Sequence, residues 1–577
     1  MAGARVLKGF WASGADVNNR GLSMQNQNGS PLGGGVWTLG CLMIITSLVL
    51  CGFWGKHGWP IGSFWWDDLA LAGGAQAIDQ GLRPTVDFWA PFIWPLYQKW
   101  LATKIAGLQG AYVVECVIQG WVIFGLFALA AWSRRLHWIV YVTVAILIVS
   151  AVSPFNILSV TEARLGEVSF DCSYNRLGGA LIGLLVVWVG ILRQDEIDVP
   201  RNKIWFALIL TLSFLLKITV FQIVWGLIFM KSILEPGRGW FKLWFQSSIA
   251  AGVFLGLVFL MLGGVGGYWQ ALAHLSRVRA AVLDLRSMLE LLIFIHRFEL
   301  ALYLLPALLV VCWGKLNART QTAHVVWYLV VLLGFCLYTI SNYGDNGLMP
   351  ALAAVQVLMA GALVSSGSGE RKVSGTPDSF HLLIRLTAAC FGILSIFYLA
   401  FVFWWSAAYF DRSRQMPTGP VEFGGPVTTS AYQARMDSMT PVNLLTLDIP
   451  INVSDPRLFV QYLKELDGAR RYLRAHWPET STRVYALDFP AYAFSVLDKY
   501  RVPPKSYPWI LFEHELNLDH YPDASDMLAN VDVLLTSKCS LTGGNRKWLF
   551  SIFRVYIEKN FELSGSTSCW DIYSRRR

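Results

Sequence analysis

The chain is 577 residues long, with 55% hydrophobic and only 15% charged residues and a mean hydropathy of +0.46. This composition excludes a soluble globular protein and points to an α-helical polytopic membrane protein. The formal net charge of +9 comes from Lys and Arg scattered along the chain; with no DNA- or RNA-binding motif beside them, nucleic acid is excluded as a partner and the charge is assigned to anchoring at the inner face.

Residues 1–35 form a polar cytoplasmic amino terminus, too rich in Gly, Asn and Ser for a signal peptide. Apolar windows that can cross the hydrocarbon as helices follow at 36–54, 111–131, 138–153, 176–192, 243–262, 291–313, 324–340, 347–364 and 382–406. The stretch 204–230 is long for one crossing and carries Lys217 at its middle. Basic residues flank both its ends, Arg201 and Lys203 before it and Lys231, Arg238 and Lys242 after it. It is therefore read as two short helices turning around Lys217 at the outer face. The total is about 11 crossings. Arg5, Lys8 and Arg20, then Arg134-Arg135, Arg193, Lys315, Arg319 and Arg371-Lys372 in alternate loops, put the amino terminus inside and the carboxyl terminus outside. A membrane core over 36–406, with a first outer loop at 55–110, is followed by an extracytoplasmic domain at 407–577. In that domain Arg483–Phe489 and Asn530–Thr536 read as short buried strands and Asp455–His476 as a helix, giving a small α/β fold. The nine cysteines show no metal-ligand spacing. Cys539 and Cys569 fall where an oxidising compartment permits a disulfide, although spacing alone leaves their pairing open.

The first outer loop carries the chemistry. It begins Ser63-Phe64-Trp65-Trp66-Asp67-Asp68 and returns through Asp87-Phe88-Trp89-Ala90-Pro91. A carboxylate in such an apolar rim can serve as a base; the plainer role for Asp67 or Asp68 is to favour the N-terminus of a helix over Leu69–Ile78. The aromatics Phe88, Trp89, Phe92, Trp94 and Tyr97 suit an interfacial belt. Lys217, at the tip of the hairpin, can hold a lipid phosphate as a point charge, and Arg164, Arg176, Arg277, Arg279 and Arg286 lie in or near outer loops. His296, Arg297 and Glu299 lie just inside a span, where they must face protein or a water-filled cavity. In the loop 341–350, Asn342, Asp345 and Asn346 offer hydrogen bonds to sugar hydroxyls, and a tight turn explains the same residues.

The acidic pair Asp67-Asp68, the Ala/Gly-rich helix after it, Gly81-Leu82-Arg83-Pro84, Asp87-Phe88-Trp89-Ala90-Pro91 and the hairpin lysine Lys217 resemble the GT-C superfamily of membrane glycosyltransferases. The resemblance is strongest to the branch with protein O-mannosyltransferases and the lipid A aminoarabinose transferase. By motif it covers about 60–100 and 213–222, and by architecture 36–406. A Glu-Lys-Pro-Pro run of some relatives is absent, Trp89-Ala90-Pro91 standing in its place, and Lys99 fits no motif. The resemblance implies a GT-C-like fold and transfer of a sugar from a polyprenyl-phosphate donor to an envelope glycan, lipid or protein acceptor. The expected enzyme inverts the anomeric centre and sits in a bacterial inner membrane. Asp67 is the expected base with Asp68 as its partner, Lys217 holds the donor phosphate with Arg297 and His296, and Asp87, Asn342, Asp345 and Asn346 orient the acceptor. No cofactor is required, and a divalent metal is compatible with the acidic pair. Alternatives from other classes are a secondary transporter or lipid flippase, with the broken helix and the His296-Arg297-Glu299 cluster lining its path, and a non-catalytic envelope-assembly subunit.

Overall fold

A computed structural model describes residues 34–54, 65–132, 134, 136, 138–152, 173–192, 194–282, most of 326–337, 421–423, 427–429, 457–510, 516–539 and 545–577. Helix α1 (Gly34–Trp54) is free of charged residues and largely apolar, and it exposes much of its length, as a lipid-facing span should. Helix α2 (Trp65–Asp79) begins four residues before the predicted start, so Asp67 and Asp68 lie in its first turn, not ahead of it. Helix α3 (Ile93–Ala131) is two limbs joined at Gly107, whose φ of 67° and ψ of 178° break the helical path. That left-handed φ favours glycine. The limb before Gly107 was predicted as loop, and only the limb after it as a span. Helices α4 (Trp138–Val152) and α5 (Ser173–Ile191) follow, with α5 almost entirely buried at the centre.

The long apolar stretch divides at the lysine, as its flanking charges predict: α6 (Pro200–Leu216) ends and α7 (Ile218–Leu234) begins at Lys217, which is extended at φ −166°, ψ 131°. Helix α8 (Trp240–Leu262) is another long apolar helix, and α9 (Gly266–Val282) occupies a predicted loop. Four of the described helices, α1, α3, α5 and α8, are long and apolar enough to cross a bilayer. The ends predicted to face inward do share one side: Arg134 pairs with Glu196 at 3.1 Å and Lys242 with Asp198 at 2.6 Å.

The carboxyl-terminal region opens with a small hairpin, β1 (Val421–Phe423) and β2 (Val427–Thr429). Helix α10 (Arg457–His476) then leads to β3 (Val484–Leu487), α11 (Ala493–Asp498), α12 (Ala524–Leu528), β4 (Val533–Ser537), α13 (Asn545–Asn560), β5 (Phe561–Ser566) and β6 (Trp570–Arg575). The sheet order is β3-β4-β6-β5, with β3 parallel to β4 and the other pairs antiparallel. The two predicted strands are β3 and β4, and a Cys539–Cys569 disulfide ties the end of β4 to the start of β6.

This small α/β domain rests directly on α2 and α3. Leu69, Tyr112, Val113 and Cys116 share one core with Leu463, Phe494 and Trp570, and a Cβ on Gly73 would meet Tyr492 at 2.8 Å. Gln80 adds a two-way clamp, donating from Nε2 to the Tyr500 carbonyl at 2.9 Å and accepting from the Val502 N–H at 2.8 Å. Of the aromatics predicted as an interfacial belt, Trp89 stacks instead on Tyr507 at 4.8 Å and Phe92 on Trp509 at 6.1 Å, while Trp94 and Tyr97 pack against the membrane-core helices; Trp66 nearby meets Phe489 edge-on at 6.3 Å. Flat rings bury large apolar area on one another.

Candidate functional site

The first turn of α2 presents two carboxylates to the positive end of its own helix dipole. Asp67 is half-buried and Asp68 is 3% exposed. The Asp68 carboxylate accepts from the Lys99 ammonium, which also donates to Glu115 Oε2 at 2.9 Å. Both partners of Lys99 are buried, as is Lys99 itself. The Gly107 corner makes this possible by folding the limb that carries Lys99 back over the limb that carries Glu115. Gln98 reinforces the fold, donating to the Glu115 carbonyl at 2.9 Å.

Polar groups continue from there to the helix break. The Lys99 ammonium stands 6.0 Å from the ring centre of Tyr112, and the Tyr112 hydroxyl accepts from Arg176 Nη2 at 2.7 Å. Next to Arg176 on the first turn of α5, Asn175 Oδ1 accepts from Lys217 Nζ at 3.4 Å, and Lys217 lies 5.9 Å from the Tyr174 ring. Lys217 is 6% exposed and sits where the first N–H groups of α7 emerge, a site suited to an anion. Thr219, in the first turn of α7, has a buried hydroxyl oxygen with no hydrogen-bond partner among the described residues. Phe92 stacks on Tyr174 at 5.2 Å, so the aromatic contacts of the carboxyl-terminal domain reach this point.

The remaining predicted residues divide in two. Asp87 sits in a tight turn, where its Oδ2 accepts from both the Arg83 backbone N–H and Nε at 2.9 Å. The Arg83 guanidinium beside it holds its carboxyl below the usual carboxylate range. His296, Arg297, Glu299, Asn342, Asp345 and Asn346 lie outside the described residues. As for a metal, the one close grouping of candidate ligands among the described residues is Glu465 with Cys539 and Cys569, whose sulfurs are spent in the disulfide.

No protein-family model and no curated protein sequence matches the chain. Among solved structures it is similar to the crystal structure of ArnT from Cupriavidus metallidurans bound to undecaprenyl phosphate. The two are 11% identical, with a TM-score of 0.35 over 93% of this chain and 98% of that one.

Lys99, Glu115, Tyr112 and Thr219 were not singled out from the sequence, whereas Asn175 falls in the segment 173–178, which opens a span from the outside and reads either as a contact for sugar hydroxyls or as a turn. Lys99 and Glu115 are separated by 16 positions and meet only across the Gly107 corner. Glu115 inside the apolar window 111–131 was the available signal, because an ionisable residue there needs a partner. Arg176 was visible as one of several arginines near outer loops and as part of the segment 173–178.

Proposed function

We propose that the protein is a membrane glycosyltransferase that moves a sugar from a polyprenyl phosphate to a hydroxyl of an envelope glycan, lipid or protein at the outer face. The observation that carries this reading is a chain of contacts running from Asp68 in the acidic turn of α2 through Lys99, Tyr112 and residues 174–176 to the lysine at the α6–α7 break. Transfer from a lipid phosphate requires these two functions together, a base for the acceptor proton and cations for the departing phosphate.

Asp67, the more accessible carboxylate, takes the proton as the acceptor oxygen bonds to the anomeric carbon. The bond from that carbon to the phosphate oxygen breaks, and the electron pair leaves with the phosphate. Lys217, the N–H groups at the start of α7 and Arg176 stabilise the leaving dianion. Attack opposite the departing phosphate inverts the anomeric centre. A divalent ion is not needed for this charge balance, and removal of divalent ions with a chelator is expected to leave transfer intact.

The test is transfer of labelled sugar from a panel of polyprenyl-phosphate sugars by the purified protein in lipid. Asp67→Asn is expected to slow turnover about 1,000-fold and Lys217→Ala about 100-fold, each with the fold retained. Full activity in Asp67→Asn removes the base from this mechanism. Specific binding of every donor without transfer, coupled to movement of the lipid between leaflets, favours the flippase alternative.

A further inference from the structure

Asp67 and Asp68 are neighbours on one helical turn, so their side chains diverge by about 100° around the axis. They cannot serve the same pocket. Asp68 turns into the protein, where it is 3% exposed and holds the Lys99 ammonium, while Asp67 stays half-buried. Lys99 in turn binds Glu115. One ammonium thus joins three segments: the acidic turn of α2, the limb of α3 before Gly107 and the limb after it.

Stability alone is a poor reason for such a triad. Desolvating three charged groups costs as much as their attraction returns, and apolar residues of the same volume often do as well. The first turn of α2 is already favoured by its helix dipole, and the apolar packing of Leu69 and Leu71 buries the same helix without any ion pair. What an ion triad adds is a fixed rotation of α2 about its axis, because Asp68 can reach Lys99 in only one orientation.

We propose that Lys99 and Glu115 form a lock on Asp68 that sets the rotation of α2 and so presents Asp67 to the acceptor hydroxyl; both are positioning residues, and Asp68 is their handle, not a second base. The inference rests on the glycosyltransferase reading given above. A displacement of about 1 Å at a reacting group can cost about 100-fold in rate, and the lock sits one residue from the base.

The experiment uses the full chain in lipid nanodiscs and has two readouts. Carbodiimide labelling, located by mass spectrometry, reports which carboxylate solvent reaches and needs no activity. Asp67 is expected to be labelled and Asp68 spared; equal labelling of both overturns the lock. Turnover and donor affinity are then measured for Lys99→Met, Lys99→Arg and the neutral triple variant Asp68→Asn/Lys99→Met/Glu115→Gln. Lys99→Met is expected to lose about 100-fold in kcat with donor affinity unchanged, and Lys99→Arg to recover most of that loss. The triple variant, which leaves no buried charge unpaired, is expected to melt like the wild type and remain slow. Wild-type kcat in Lys99→Met, or in the triple variant, overturns the positioning role while leaving the glycosyltransferase reading in place. Absence of transfer by the wild type with every donor overturns that reading itself.

Discussion

Lys217 shows how one side chain decides local structure. A lysine in the middle of an apolar stretch is costly in hydrocarbon, and the chain responds by ending α6 there and starting α7 one residue later. The break also exposes backbone N–H groups that a continuous helix would have consumed. A different kind of constraint acts at Gly267 on α9. A Cβ at that position would stand 1.6 Å from the Thr85 carbonyl oxygen, a backbone atom in a turn closed by the Thr85 N–H to Phe88 carbonyl bond of 2.9 Å. Thr85 itself is at φ 68°, so the turn has little room to adjust. Gly267→Ala is expected to displace the 83–88 turn and destabilise the protein by about 2 kcal/mol, seen as a lower Tm in detergent. An unchanged Tm would mean that α9 shifts as a body instead.

The same residues show what the chain reveals of its own site. The break at Lys217 was legible because the basic residues on either side of it act locally, within the reach of the positive-inside rule. The acidic pair was legible as a pair, yet the difference between Asp67 and Asp68 was not, because it depends on which of them meets Lys99, 31 positions away. Asp87 looked like its acidic neighbours in sequence, and only the return of the chain onto Arg83 gives it a structural partner.

At the scale of elements, β3 and β4 were readable as short apolar runs, since both are buried throughout. The pair β5–β6 was not: β5 exposes most of its residues, so no buried run marks it. Helix α10 packs beside this sheet and brings two carboxyls out of water. Asp488, just after β3, accepts from the Tyr462 hydroxyl at 3.0 Å and the Phe489 N–H at 2.9 Å, and burial pushes it up to about 6. Burial likewise pushes Glu465, which accepts from Gln461 at 3.1 Å, up to about 7. A carboxyl raised in the folded state favours folding in its protonated form. That contribution is complete below the unfolded value of about 4 and is lost as pH rises through the folded values. Wild type is therefore expected to lose stability relative to Glu465→Gln between about pH 4 and pH 8. Melting curves of the two proteins across that range check the sign; parallel curves would show that Glu465 ionises without cost.

At the scale of the whole molecule, the carboxyl-terminal domain and the first loop build one wall beside the polar cluster. Two kinds of contact hold them together. Apolar contacts, such as Tyr492 against Gly73 and Phe489 against Trp66, supply adhesion without direction. Hydrogen bonds supply register: Gln80 to Tyr500 and Val502, the Trp89 N–H to the Ser506 carbonyl at 3.1 Å, and the Lys505 N–H to the Asp87 carbonyl at 2.6 Å. Gln80 is 420 positions from Tyr500, so no local pattern announces the clamp. Gln80→Ala leaves a backbone donor and a backbone acceptor unpaired at the seam, a loss of about 1 kcal/mol for each bond. If the clamp sets the docking, the Val502 and Lys505 amides are expected to exchange with deuterium about 30-fold faster, the equivalent of about 2 kcal/mol, while amides of β3 and β4 keep wild-type protection. Acceleration in the strands as well would mean that docking and folding of the domain are one event. Unchanged exchange at Val502 and Lys505 would assign the seam to the contacts that Gln80→Ala leaves in place, the Trp89–Tyr507 stack and the backbone bonds of Trp89 and Lys505 among them.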